Sequence, residues 1–464
     1  MISLLFLLAF QTLDGEPHAR ARIGINVNEV REWTSDVSFA NVALQAGPWR
    51  QLADPALFAT VDERGLPTEP AKSIVFTGDY PYRKGFYELE GAGLALGGSG
   101  VVQSVDGGRF WLLDGFGSVS LIAAEPPIGD HALWDVRSRG ETFNPRFIEL
   151  LRELGPDTIR TLNWSRIRFV GAHGRQGWTP DWSQRPGPDA LRQNADQGVA
   201  LELHRALWEA VGSNGWINIP HLADEEYVRG MARVFEGFAG RLYVEFSNEA
   251  WNPGFPVFDW VETNRGTLTR GQFVGLAARQ AFEWWSDEVD TVDVRFVVMG
   301  NRGDAAFAAD QMTVVDELAG GLGCAAYFRA ESGIVDPELL VDSARANLAG
   351  RTRDGLVAHA ALAESWGVPF LGYEGGPNLF GAAGVAADSL PSLGAACSEL
   401  FWTASEADMS LLCIYAGFRN PSTLGSYGWR HNLYVTIPKW EAAVSWNNGS
   451  VLLTPRLAQP VRRP

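Results

Sequence analysis

Short apolar segments with the character of β-strands alternate with segments of helical periodicity along most of this 464-residue chain. Eight strand-like segments can be counted, and they begin near residues 22, 158, 215, 242, 294, 322, 368 and 410. Most are separated by a stretch whose apolar residues recur at the spacing of one helix face. Such alternation predicts an α/β fold with a parallel sheet, and eight strands predict a closed (β/α)8 TIM barrel.

Residues 55–127 interrupt this alternation. Short apolar pieces such as Ser73–Phe76 and Phe110–Leu113 are separated there by Gly, Pro and Asp turns, a spacing that predicts a small antiparallel β-sandwich. We therefore expect the first barrel strand and its following segment at 22–54, an inserted β-sandwich domain at 55–127, and the rest of the barrel at 128–464. The insertion is either structural or forms a sugar-binding wall of the cleft.

The N-terminal residues 1–21 resemble a secretory signal. The apolar run Met1–Phe10 is too short to span a bilayer, and Ala19-Arg20-Ala21 fits an A-x-A cleavage site. This predicts a secreted or periplasmic protein. Because a positively charged start is missing, the alternative is a first strand or hydrophobic arm of the mature protein. We expect no membrane span, since no other run is long enough.

Composition excludes several classes of function. The net charge is −17, and no basic run interleaved with aromatic residues suggests nucleic-acid binding. The three cysteines lie far apart, and the seven histidines form no H-x-H or H-E-x-x-H pair, so we expect neither a metal site nor a cofactor. The 18 tryptophans suit stacking on sugar rings, although most tryptophans in proteins are core residues.

Two strand-like segments end in a carboxylate. The first runs from Leu242 into Asn248 and Glu249, and the second, Val368 to Gly376, carries Glu374. On the strand count these glutamates end strands four and seven, and the catalytic face of a barrel is formed by the C-terminal ends of its strands. Two carboxyl groups facing each other there are what glycoside hydrolysis requires.

With these residues in register, the chain resembles clan A of the glycoside hydrolases, retaining barrel enzymes that include many cellulases, mannanases and xylosidases. The segments EFSNEAWNP, INIPHLAD and YEGG resemble a bacterial, cellulase-like branch of that clan. The resemblance covers roughly residues 22–28 and 142–446. It implies that Glu249 is the general acid/base, that Glu374 is the nucleophile, and that Asn248 binds the sugar 2-hydroxyl.

Three polar residues at strand ends are candidates for supporting roles. Tyr327 stands where clan members place a residue that hydrogen-bonds the nucleophile, but it could equally be a core tyrosine. His221 is a candidate for binding a sugar hydroxyl or orienting a carboxylate, with a structural hydrogen bond as the alternative. Arg160, within strand two, is placed to keep Glu374 ionised by its charge.

Aromatic residues near the strand ends are candidates for stacking on sugar rings. Trp164 and Trp251 are each either a sugar platform or a core residue. The clan often has a Trp at the end of strand eight, whereas this chain has Tyr415 there. The platform would therefore come from Tyr415, Phe418 or Trp429, unless the subsite differs from that of the clan.

The function predicted from the sequence is retaining hydrolysis of β-glycosidic bonds in a poly- or oligosaccharide. A β-glucan or another neutral β-glycan is the expected substrate. The alternative is a non-catalytic carbohydrate-binding protein on the same scaffold. A metal-dependent amidohydrolase would lack ligands in this sequence, and a serine hydrolase would lack a G-x-S-x-G turn.

Overall fold

A computed structural model describes residues 20–173 and 177–449, so the predicted signal segment lies almost entirely outside the described residues. The first strand of the barrel is β1 (Arg22–Asn26). Its partners lie far along the chain, because Ile25 pairs in parallel with both Ile159 and Ile414.

Residues 50–135 form two four-stranded antiparallel sheets. Their strands are β2 (Arg50–Gln51), β3 (Ala71–Phe76), β4 (Gly85–Glu90), β5 (Leu94–Gly97), β6 (Val101–Val105), β7 (Phe110–Leu113), β8 (Val119–Ala123) and β9 (Ala132–Asp135). One sheet has the order β2-β3-β8-β5, and the other has the order β6-β7-β4-β9. The boundaries 55 and 127 of an inserted domain stay a prediction.

The remaining strands are β10 (Thr158–Arg160), β11 (Asn214–Ile219), β12 (Leu242–Phe246), β13 (Val294–Gly300), β14 (Ala319–Cys324), β15 (Ala326–Arg329), β16 (Phe370–Gly372), β17 (Gly375–Asn378) and β18 (Met409–Ile414). Seven of them join β1 in a closed parallel barrel of the order β1-β10-β11-β12-β13-β14-β16-β18. Strands β15 and β17 pair with each other just beyond β14 and β16. The predicted eight-stranded (β/α)8 barrel is confirmed.

Eleven α-helices are present in the described part of the chain. They are α1 (Pro145–Leu154), α2 (Leu201–Val211), α3 (Glu225–Phe235), α4 (Pro256–Asn264), α5 (Arg270–Ser286), α6 (Ala306–Val315), α7 (Pro337–Asn347), α8 (Arg353–Ser365), α9 (Gly381–Ala387), α10 (Pro391–Glu406) and α11 (Pro438–Asn447). Helix α1 begins where the Asn144 side chain accepts a hydrogen bond from the Arg146 amide, and it ends at left-handed Gly155.

Strand β12 shows how local sequence fixes the direction of each side chain. Successive residues of a strand point to opposite faces. Leu242 and Val244 join the large core shared with the helices, whereas Tyr243 belongs to the smaller cluster inside the barrel. Glu245 is two residues further on and therefore also points into the barrel, where it is buried. This alternation brings a charged residue into the barrel interior.

Candidate active site

Polar residues at the C-terminal ends of the barrel strands converge on Arg160, the last residue of β10. Its guanidinium is fully buried and donates to Glu245 Oε2 at 2.9 Å and to Glu374 Oε1 at 3.0 Å. It also donates to the Oδ1 atoms of Asn26 and Asn248, each at 3.0 Å. The side chain of Arg160 thus links residues at the ends of strands one, two, four and seven by hydrogen bonds.

Burial acts to lower the pKa of Arg160, but Glu245 and Glu374 outweigh it and raise the pKa above its ordinary value. Burial raises the pKa of Glu245, whereas the charge of Arg160 and the hydrogen bond from the Trp216 indole act to lower it. The Trp216 Nε1 donates to the same Glu245 oxygen at 2.9 Å. A buried charge is tolerated when it is paired and hydrogen-bonded, so Arg160 remains a fixed positive charge beneath the site.

Glu374 lies between β16 and β17 and is almost fully buried. Tyr327 donates its hydroxyl to Oε2 at 2.8 Å, and Arg160 holds Oε1. Burial raises the pKa of Glu374 to about 7, Arg160 opposes this rise, and Glu249 adds to it. The same burial raises the pKa of Tyr327 well above its usual value, so its hydroxyl remains a donor.

Glu249 follows β12 and is more exposed than Glu374. Its Oε1 accepts the Tyr373 hydroxyl at 2.7 Å, and its Oε2 accepts the Asn252 side-chain amide at 2.8 Å. Glu249 has a φ of 44° and Ser247 a φ of 57°, a left-handed region that residues other than Gly seldom adopt. Such backbone strain concentrates at functional sites.

The other residues singled out in the sequence take different positions. His221 is buried, its ring centroid is 5.3 Å from that of Trp260, and burial lowers its pKa to about 4, so it is neutral. The half-buried Trp251 packs edge-on against Tyr373, with ring centroids 6.2 Å apart. Tyr415 lies edge-on to Tyr327 at 6.3 Å.

Trp164 is a core residue, the alternative to a sugar platform. Its side chain is fully buried, and its ring packs against Phe39, Phe143 and His204. The large apolar surface of the tryptophan side chain is buried in the core at this position. No face of the Trp164 ring is left for a sugar.

Sequence reasoning missed two residues of this arrangement, Tyr373 and Glu245. Tyr373 immediately precedes Glu374 in the chain yet donates to Glu249, 124 positions away. Glu245 lies four residues before Glu249 and balances Arg160. The alternation of inward and outward positions in β12 was the available signal for Glu245, since it places that residue on the inner face.

Within residues 20–173 and 177–449, no group of three or more His, Cys, Asp or Glu side chains is arranged to hold a metal ion. None of the helices described is long and apolar enough to cross a membrane.

The described site offers two carboxylates, amide and hydroxyl donors, and aromatic rings. This set of groups can transfer protons and attack an electrophilic carbon.

No protein-family model and no curated protein matches the chain. Solved structures that resemble it include a GH51 arabinofuranosidase from Xanthomonas axonopodis pv. citri, at 13% identity and a TM-score of 0.46, covering 67% of each chain. An α-L-arabinofuranosidase from Thermotoga maritima matches at 12% identity and a TM-score of 0.45, over 66% of this chain and 64% of that one.

A third similar structure is xylanase 10B from Thermotoga petrophila RKU-1, at 10% identity and a TM-score of 0.39, over 65% of this chain and 88% of that one. This chain thus spans about two thirds of the length of the two arabinofuranosidases. These similar structures are glycosidases, two arabinofuranosidases and a xylanase.

Proposed function

We propose that the protein is a retaining glycoside hydrolase that cleaves β-glycosidic bonds, with Glu249 as acid/base and Glu374 as nucleophile. The observation that carries the proposal is the pair of carboxylates at the ends of strands four and seven. Each accepts a tyrosine hydroxyl, and the charge of Glu249 acts on Glu374. Paired carboxylates with different environments are what a division between acid and nucleophile requires.

In the first step, the ionised Glu374 attacks the anomeric carbon while the bond from that carbon to the leaving oxygen breaks. Glu249 gives its proton to the leaving oxygen. In the second step Glu249 removes a proton from water, which attacks the anomeric carbon and releases Glu374. Two displacements leave the anomeric configuration unchanged.

The neighbouring residues have matching roles in this proposal. Arg160 occupies Asn248 Oδ1, so the Asn248 amide nitrogen is left as a donor for the sugar 2-hydroxyl. Arg160 and Tyr327 both stabilise the ionised form of Glu374 and are positioning residues. Trp251 and Tyr415 are the proposed aromatic contacts of the sugar.

Azide rescue of alanine variants tests the two roles separately. Glu249→Ala should retain attack by Glu374, and azide should then yield a glycosyl azide of retained configuration. Glu374→Ala should instead let azide attack directly and yield the inverted product. Each variant should lose about 10²–10⁴-fold or more in turnover without azide. Glu331→Gln, an exposed carboxylate in the loop after β15, is the matched control and should keep its activity.

Unchanged activity in either alanine variant would contradict the proposal. So would an inverted anomer as the first product of the unmodified protein in an NMR time course. If the unmodified protein hydrolyses no glycan while its variants bind glycans tightly, the result would favour a non-catalytic carbohydrate-binding protein.

Export to the periplasm or the medium also belongs to this proposal, since a polysaccharide substrate is met outside the cell membrane. It rests on the apolar run Met1–Phe10 and the cleavage-site pattern that follows it. N-terminal sequencing of the mature protein tests it, and a chain that still begins at Met1 would contradict it.

A further inference from the structure

A cavity of about 170 Å³ lies on the side of the barrel mouth formed by strands one, two and eight. Its wall includes Tyr415, which lies edge-on to Tyr327, the residue that hydrogen-bonds Glu374. The polar residues that line it also include Asn28, Glu29, Asn163, Arg168, Arg419 and Asn420.

Two guanidinium groups line this cavity, and neither has a carboxylate within 4.0 Å among the residues described. Arg168 is half-buried and donates through one nitrogen to Asn163 Oδ1 at 3.0 Å. Arg419 is half-buried and lies 5.8 Å from the centre of the Tyr427 ring. Each therefore keeps N–H donors that no described residue accepts.

The two guanidinium groups converge on one region. Arg168 and Arg419 line the same cavity as Tyr415. The rings of Tyr415 and Tyr427 both lie edge-on to Tyr327, with centroids 6.3 and 6.2 Å from its own. Arg168 also favours the ionised form of Glu374 against the larger effect of burial. The wall of the cavity that holds both cations thus contacts the tyrosine that hydrogen-bonds Glu374.

The carboxylates nearby act on Arg168 without pairing with it. Tyr415, Glu374 and Glu29 raise the pKa of Arg168, but Glu29, the carboxylate of the cavity wall, lies 3.5 Å from Arg31 instead. On the outer helices, by contrast, Arg205 and Arg279 pair with glutamates at 2.8 and 2.9 Å. Partly buried cations are costly unless they are paired, and this chain carries a net charge of −17.

We propose that the sugar bound beside Glu374 carries an anionic group, a carboxylate or a sulfate, and that Arg168 and Arg419 bind it. The planar guanidinium has donors in a fork that matches both anions. This inference rests on the proposed glycosidase function. It replaces the neutral β-glycan expected from the sequence by an anionic one.

Matched pairs of aryl β-glycosides test the substrate class. The two members of a pair have the same ring and leaving group and differ only in the C6 substituent. A glucuronide and a 6-sulfated glucoside are each compared with the glucoside. A galacturonide and a 6-sulfated galactoside are each compared with the galactoside. The kcat/KM should be higher for an anionic member than for its neutral partner, and it should fall with added salt. Comparing the uronides with the 6-sulfated glycosides shows whether the site prefers a carboxylate or a sulfate.

The variants Arg168→Gln and Arg419→Gln test the residues. Each should lower the ratio of kcat/KM for the anionic over the neutral partner by about 10- to 100-fold, as expected for losing a hydrogen bond to a charged group. Arg419 lies in a loop after β18, so its variant serves if Arg168→Gln fails to fold. Arg22→Gln removes the same charge at the opposite end of the barrel and should leave the ratio unchanged.

A neutral partner that reacts as fast as the anionic one, or a ratio unchanged in both variants, would overturn the inference. The proposed function fails differently, through hydrolysis that persists in Glu249→Ala or Glu374→Ala. Calorimetric titration with glucuronate, galacturonate, glucose 6-sulfate, glucose and galactose measures the preference without catalysis. Equal or absent binding of the anionic and neutral sugars would also overturn it.

Discussion

Replacing Tyr327 by Phe removes one hydrogen bond from the proposed nucleophile and little else. The Tyr327 hydroxyl donates to Glu374 Oε2 at 2.8 Å, and this bond favours the ionised carboxylate. A hydrogen bond to a charged group contributes about 1.5–3 kcal/mol, and about 1.4 kcal/mol corresponds to one pKa unit. The pKa of Glu374, raised by burial to about 7, should therefore rise by about one to two units in the variant.

The pH dependence of kcat/KM measures this change. Glu374 acts as a nucleophile only when ionised, so activity should rise with pH to a midpoint near 7. In Tyr327→Phe that ascending limb should move to higher pH. Tyr373→Phe is the matched control, because its hydroxyl donates to Glu249 instead. It should leave the ascending limb in place.

An ascending limb that stays near pH 7 in Tyr327→Phe would refute the assignment of that limb to Glu374. An equal displacement in Tyr373→Phe would refute it as well, since the effect would not be specific to the carboxylate that Tyr327 contacts. Far-ultraviolet circular dichroism of both variants at each pH verifies that the fold persists. A residue that merely packs would change kcat without moving the limb.

Three further predictions concern stability and are tested by denaturant unfolding. Arg160→Met should lower the free energy of unfolding by about 3–5 kcal/mol because it leaves Glu245 buried and unpaired, and adding Glu245→Met should recover much of the loss. Because burial raises the pKa of Glu374 to about 7, this residue contributes stability below pH 4.5 that is lost as pH rises through about 7. Between pH 4.5 and 7 the free energy of unfolding of the unmodified protein should therefore fall by about 3 kcal/mol relative to that of Glu374→Gln. Gly323→Ala should destabilise the barrel by about 1–3 kcal/mol or more, since its Cβ would lie 2.1 Å from the Leu371 carbonyl oxygen.

Most of the barrel could be predicted because its signals are local. An Asn followed by Pro is a local signal for the start of a helix, and α1 begins at Asn144 and Pro145. The sixth and seventh strands were each predicted as one segment, but β14 and β16 end before Tyr327 and Glu374, which lie beyond them. The break matters because it frees these residues from the barrel ladder and lets their side chains meet.

Residues whose role depends on a distant partner were harder to predict. Trp164 looked equally suited to a sugar platform and to the core, and only packing against Phe39 and Phe143 decided for the core. Arg168 carried no signal of its own in the sequence. Its proposed role follows from the cavity that it shares with Arg419, 251 positions later.

Eight parallel strands, two of them followed by Glu249 and Glu374, could be predicted from residue order alone. Periodicity and turn residues are local properties, so they can be read without knowing which strands are neighbours. The hydrogen bond from Arg160 to Glu374 across 214 positions and the one from Tyr373 to Glu249 became visible only in the folded chain. Closure of the barrel makes these contacts, because it brings the ends of strands that are distant in sequence to one mouth.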